Sequence, residues 1–166
     1  MRLKSIAATI SGLAMLLAFA SVISFWLKDD VPPRDQDVIE FYRVHGADLE
    51  KLRQMVAADM PASSSMSFDN ISDGFPSSRR IEYKNLLFSM QQLRIGANYD
   101  GSVRFIVASN SHAISPGWAK GLEFIPNGAK LVGIERSNLA DAEKLPEGLY
   151  LHKISANWFI FFQRDE

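Results

Sequence analysis

The chain has 166 residues, with 18 Lys+Arg against 19 Asp+Glu and a formal net charge of -1. That balance argues against an electrostatic nucleic-acid binder, which needs a clustered basic patch. No Cys occurs anywhere, which excludes a lipid-modified cysteine, a disulfide framework and thiol chemistry.

The amino-terminal stretch predicts location. Ile6 to Leu27 is an uncharged run of 22 residues, about 33 Å as a helix, enough to cross a hydrocarbon core of roughly 30 Å. Arg2 and Lys4 precede it, and basic residues favour the cytoplasmic side. Ala18-Phe19-Ala20 also fits a signal-peptidase site, so cleavage after Ala20 stays open. Cleavage would leave the apolar start Ser21 to Leu27, whereas retention completes the span and sets Trp26 at the outer interface. Retention is therefore the preferred reading. It gives a cytoplasmic start (1–5), a transmembrane signal anchor (6–27), a linker (28–37) and an extracytoplasmic domain (38–166). The expected location is the inner membrane, single-pass, with the carboxy-terminal domain in the periplasm. Ala8 and Gly12 share one face of the span and offer a homodimer contact.

"VPPRDQD" (Val31 to Asp37) closes the linker, where Pro32 and Pro33 stop the membrane helix. Val38, Phe41, Tyr42, His45, Leu49, Leu52 and Val56 then recur at helical spacing. Gly46 weakens the middle and Asp48 offers a second start, so one interrupted helix and two short helices both fit. Glu50 and Arg53 are placed to pair. Met60 to Ser78 reads as a long loop, with a short strand near Ser67 to Ile71. Its "DNISDG" run (Asp69 to Gly74) fails as a calcium loop, because Ile71 takes the third position and Arg80 the twelfth. Arg79-Arg80 reads as a solvated start of the second helix. That helix follows Pro76-Ser77-Ser78, buries Ile81, Leu86, Leu87, Met90 and Leu93, and is capped by Gly96.

The remainder reads as strands. Val103, Phe105 and Val107 share one face, and Trp118, Lys120, Leu122 and Phe124 share another. "KLVGIE" is a weaker run. Leu149 to Ile154 and Trp158 to Phe162 form a hairpin around Ser155-Ala156-Asn157. Both faces of its second strand are apolar, so that strand is expected to be covered on both sides. The predicted fold is α+β: two helices packed on an antiparallel sheet of four or five strands.

The order of "LEKLRQMVAAD" (Leu49 to Asp59), "EYKNLLFSMQQL" (Glu82 to Leu93), "WAKGLEFIP" (Trp118 to Pro126) and "LYLHKISANWFIFF" (Leu149 to Phe162) resembles a group of small exported or membrane-anchored proteins of Gram-negative bacteria. These carry a carboxy-terminal Ile-x-x-x-Trp-(Tyr/Phe) hairpin. Leu122 and Phe159 stand here where Tyr is common in the group. The resemblance implies architecture and location and brings no chemistry with it.

No catalytic constellation assembles from the sequence. His45 lies on an apolar helix face and His152 on a sheet face, and the three His form no metal pair. His112 sits in "SNSHAISPGW" among Ser109, Ser111 and Ser115, without a nucleophile-elbow motif. Asp141, Glu143 and Glu147 flank Pro146 and cannot be set facing one another from sequence. No cofactor and no metal site is expected. The loop Ser109 to Gly117 with His112, Trp118 and Lys120 is the candidate partner-contact surface; a buried Trp118 and a solvated Lys120 are the competing reading. The expected function is a non-enzymatic membrane-tethered envelope protein that binds another envelope protein, with no nucleic-acid partner. Alternatives are a periplasmic immunity protein against a toxin, and a small Ser/His hydrolase using the 109–117 loop.

Overall fold

The computed structural model describes residues 31–71, 74–90, 93–110 and 117–165. Pro32–Glu166 forms one compact unit. The segment expected to span the membrane, with Ala8, Gly12 and Ala20, lies outside the described residues, as does His112. Among the described residues, no helix is long and apolar enough to cross a membrane.

Helix α1 (Asp35–Asp59) is continuous for 25 residues. It therefore runs through Gly46 and starts inside the expected linker. Its start is held by Asp37, whose carboxylate accepts the Arg34 N–H at 3.0 Å, satisfying a donor that the first turn leaves free. Pro61 follows its last turn. Val38, Leu49, Leu52, Met55 and Val56 are buried along one stripe. The expected Glu50–Arg53 pair forms at 2.6 Å.

Strand β1 (Ser64–Ser67) follows, then α2 (Ser77–Leu87) and a 3-10 turn at Phe88–Met90. This turn ends the helix before Gly96, which lies inside strand β2 (Arg94–Ala97) rather than at a cap. Ile81, expected in the buried stripe of α2, is 58% exposed, and Tyr83 is buried instead. Tyr83 donates to Asp59 Oδ2 at 3.0 Å, and Arg79 meets the same carboxylate at 2.5 Å. Arg79 is thus a half-buried staple between the two helices rather than a solvated residue. Burial and the neighbouring Asp59 carboxylate push the Tyr83 hydroxyl well above its ordinary pKa.

The rest of the chain supplies β3 (Val103–Asn110), β4 (Trp118–Phe124), β5 (Ile134–Glu135), β6 (Gly148–Lys153) and β7 (Trp158–Arg164). One sheet of seven strands results, in the order β1-β2-β3-β4-β7-β6-β5. The sheet is mixed, because β5 pairs β6 in parallel. Five of the strands, β3 to β7, fall on runs read as strands, although β5 keeps only Ile134–Glu135 of "KLVGIE" and pairs in parallel; β2 falls where the second helix was expected to end, and β1 precedes the strand expected near Ser67 to Ile71. With four residues, β2 is too short to show a period of two beside the helical spacing that precedes it.

The predicted hairpin is β6–β7, with Leu149 opposite Gln163 and Lys153 opposite Phe159. Both helices pack on one face, against Ile95, Phe105, Leu122, Tyr150, Trp158, Ile160 and Phe162. On the other face Leu151, Phe159 and Phe161 are covered by Ile125 and Ala129 from the segment after β4. That segment supplies the second cover that the two-sided apolar β7 requires.

Candidate functional site

Two polar constellations flank the sheet, one on each face. The first lies under the start of α1. Lys120 is 1% exposed although it shares a strand face with Leu122. Its ammonium meets Asp35 Oδ1 at 2.8 Å; the geometry is that of an ion contact rather than of an aligned hydrogen bond. Lys120 also donates to the Leu139 carbonyl at 3.4 Å. Asp35 Oδ2 accepts the Leu139 N–H at 2.6 Å and lies 2.9 Å from His152 Nδ1. One carboxylate therefore joins α1, β4, β6 and the segment before β6. Burial alone would push the Asp35 carboxyl up; Lys120, the Leu139 N–H and His152 outweigh it and hold the group below its ordinary value.

These contacts decide what the expected site residues do. Lys120 is neither solvated nor open to a docking partner, since its charge is spent inside the fold on Asp35. Trp118, two residues away on the same face, is half-buried against the core. Its indole Nε1 is buried without a hydrogen-bond partner among the described residues. Trp118 and Lys120 share a strand, but His112 lies outside the described residues, so the three are not brought together. His45 is half-buried, its ring 4.7 Å from that of Phe41.

The second constellation occupies the face without helices. Arg104 on β3 and Glu123 on β4 are cross-strand partners. Arg104 Nη2 approaches both Glu123 oxygens at 3.1 Å. Its Nη1 donates to Gln163 Oε1 at 2.7 Å, and its guanidinium carbon lies 4.6 Å from the Phe161 ring centre. Arg104 Nε is buried with no partner among the described residues. The β2–β3 turn adds Asn98, which donates to Ser102 Oγ at 2.8 Å, and Asp100, whose Oδ1 accepts the Ser102 N–H at 2.9 Å. Glu123 is 3% exposed. Burial pushes its carboxyl above the ordinary value, and Arg104 offsets only part of that. Asp100 is held below its ordinary value, because bonds from Ser102 outweigh burial.

These groups form the floor of a cleft of about 350 Å³ whose walls include Ile125, Lys130, Val132 and Leu149. Tyr99 and Val132 stand at its rim, 85% and 64% exposed. Sequence reasoning missed this cleft, although one signal was there. Arg104 and Glu123 alternate with Val103 and Phe105, and with Leu122 and Phe124, so their side chains must leave by the opposite face.

Fold and cleft together define an α+β domain with a helix-covered face and a second face that combines a smaller apolar cluster with an ionic cleft. Comparison of the chain with protein-family models, with curated proteins and with solved structures found no match. Among the described residues, no group of three or more His, Asp or Glu is arranged to hold a metal ion.

Proposed function

We propose that the chain is a membrane-tethered envelope protein whose exported domain is a non-enzymatic module that binds another protein through the cleft on the helix-free face. One observation carries the reading. Tyr99 and Val132, both largely exposed, flank a concave site whose floor carries the Arg104–Glu123 pair and whose walls include Ile125 and Leu149. Large apolar side chains left exposed beside a concave site offer contact area that the fold itself does not use, and Tyr is among the residues that dominate binding energy. The strongest titratable groups are engaged within the fold, Asp35 by Lys120 and His152, and Glu123 by Arg104. That arrangement suits a rigid binding platform. The tether rests on the apolar run Ile6 to Leu27 behind Arg2 and Lys4. An immunity protein bound to a toxin in the periplasm is one specific form of the same reading.

The test is a surface double variant, Tyr99→Ser with Val132→Asp, expressed as the full chain. Native electrophoresis of solubilised membranes should show the parent in a complex larger than the chain alone. The variant should migrate as the free chain with an unchanged melting temperature. A complex that survives the double variant contradicts the assignment of the surface.

A further inference from the structure

The ion pair at the floor of the cleft has a geometry that leaves work for a ligand. A guanidinium binds a carboxylate best through two parallel N–H···O bonds from two nitrogens. Here one nitrogen, Arg104 Nη2, serves both Glu123 oxygens at 3.1 Å, and Nε has no acceptor among the described residues. The guanidinium is nevertheless held in place, by Gln163 at its far nitrogen and by the Phe161 ring beneath it. Arg104 is thus a pre-oriented fork occupied by a poorly matched internal carboxylate.

We propose that the cleft is a proton-gated carboxylate site, in which Glu123 in its neutral form releases the Arg104 fork to an acidic side chain of an extended partner segment. The proposal rests on the reading of this cleft as a protein-binding surface and names the chemistry that the partner must bring. The neutral Glu123 O–H then donates to the incoming carboxylate, which also accepts from Arg104. One proton is taken up at Glu123 for each carboxylate bound. The apolar walls, Ile125 and Leu149, and the rim residues Tyr99 and Val132 receive the side chains flanking the acid.

The charges around Glu123 favour this exchange. Arg104 faces it from β3, Asp100 from the β2–β3 turn and Lys130 from the segment after β4. Phe159, its cross-strand neighbour on β7, separates it from Lys153 on β6, whose ammonium lies 6.0 Å from that ring's centre. In the cleft lining two acids balance two bases, so neutralising Glu123 leaves one net positive charge there. Burial already favours the neutral form of Glu123, so the proton is taken up at a higher pH than an ordinary glutamate takes one.

The probes are acetyl-Leu-Asp-Phe-amide and acetyl-Leu-Asn-Phe-amide, titrated into the full chain in detergent at pH 5.5 and 7.5, where the peptide Asp stays charged. The Asp peptide should bind more tightly at pH 5.5, its affinity falling up to tenfold per pH unit above the Glu123 titration. The Asn peptide should bind weakly and without pH dependence. Glu123→Gln should remove the pH dependence, and Arg104→Gln should abolish binding of the Asp peptide. Should either variant melt early, the Glu123 carboxyl carbon in the parent gives the same answer, because its NMR shift should move to the protonated position as peptide is added. Equal binding of both peptides, no binding of either at pH 5.5, or a pH dependence that persists in Glu123→Gln each overturns the proposal. Those results would leave the protein-binding reading to the native-complex experiment, which does not depend on the peptides.

Discussion

At the residue scale, Asp35 is the side chain with most depending on it. It is the only carboxylate facing the buried Lys120 ammonium at ion-pair distance among the described residues. Removing one partner of a buried pair strands the other charge and typically costs about 3–5 kcal/mol, whereas removing both together can be nearly neutral. Asp35→Ala should therefore destabilise the domain strongly, and Asp35→Ala with Lys120→Met should restore much of the loss. Urea melts of the single and double variants check this; simple addition of the two losses would mean that the pair is not coupled. The pH dependence has two opposite parts. The folded Asp35 pKa lies below its ordinary value, so its contribution is complete above about pH 4 and is lost as the pH falls through the folded value. The folded Glu123 pKa lies above its ordinary value, so its contribution is present at low pH and lost as the pH rises through that value. As the pH falls from the folded Glu123 value towards about 4.3 the parent should thus gain stability from Glu123, and Glu123→Gln should lack that gain in melts recorded across the interval. Asp35 was not legible as a site in the sequence, where it belongs to a polar stretch beside two prolines. Its hydrogen-bond donor Leu139 is 104 positions away, and no local pattern carries such a contact.

At the element scale, β7 organises the core. Trp158 is 6% exposed and its ring meets Tyr42, Phe105 and Phe124 at centroid distances of 5.2, 5.6 and 5.5 Å. Trp158→Ala should cost about 3–5 kcal/mol; an unchanged melting temperature would contradict this packing. Gly121 tests the β3–β4 register. The ladder shifts between Ile106 and Ala108, opposite Gly121, and a Cβ there would stand 2.0 Å from the Phe105 carbonyl oxygen. Backbone, not a flexible side chain, occupies that space, so only glycine fits. Gly121→Ala should lower the melting temperature by more than Gly128→Ala, whose added Cβ meets nothing within 4 Å but whose φ of 85° carries its own strain. Equal losses would mean that the close approach at Gly121 is not sustained. The β6–β7 hairpin and the two-sided burial of β7 were legible, because alternation and turn composition are local. The pairing of Arg104 with Glu123 and the bulge beyond Ile106 were not, since register between β3 and β4 depends on the pairing of two strands. The end of α2 was misplaced for a similar reason. Gly96 looks like a cap in isolation, but pairing with β3 claims it for a strand.

At the scale of the whole molecule, the two faces of the sheet have separate tasks. The helices seal one face into the core, and the other keeps an ionic cleft with an apolar rim. Local patterning showed the sealed face, because burial imposes periodicity on the residues that line it. On the other face the apolar residues of β7 were legible but the cleft was not, because its lining comes from separate segments that only the fold brings together. The tether is tested by mass spectrometry of the protein purified from membranes, which should find the amino-terminal segment still present; a chain beginning at Ser21 would contradict it. The binding claim is tested most directly by placing a photo-crosslinking residue at Tyr99 and, in a second version, at Ile81, which is also exposed but lies on α2. The account predicts a discrete crosslinked protein from position 99 and none from position 81 on illumination of intact cells. Crosslinking from position 81 alone, or equally from both, would contradict it.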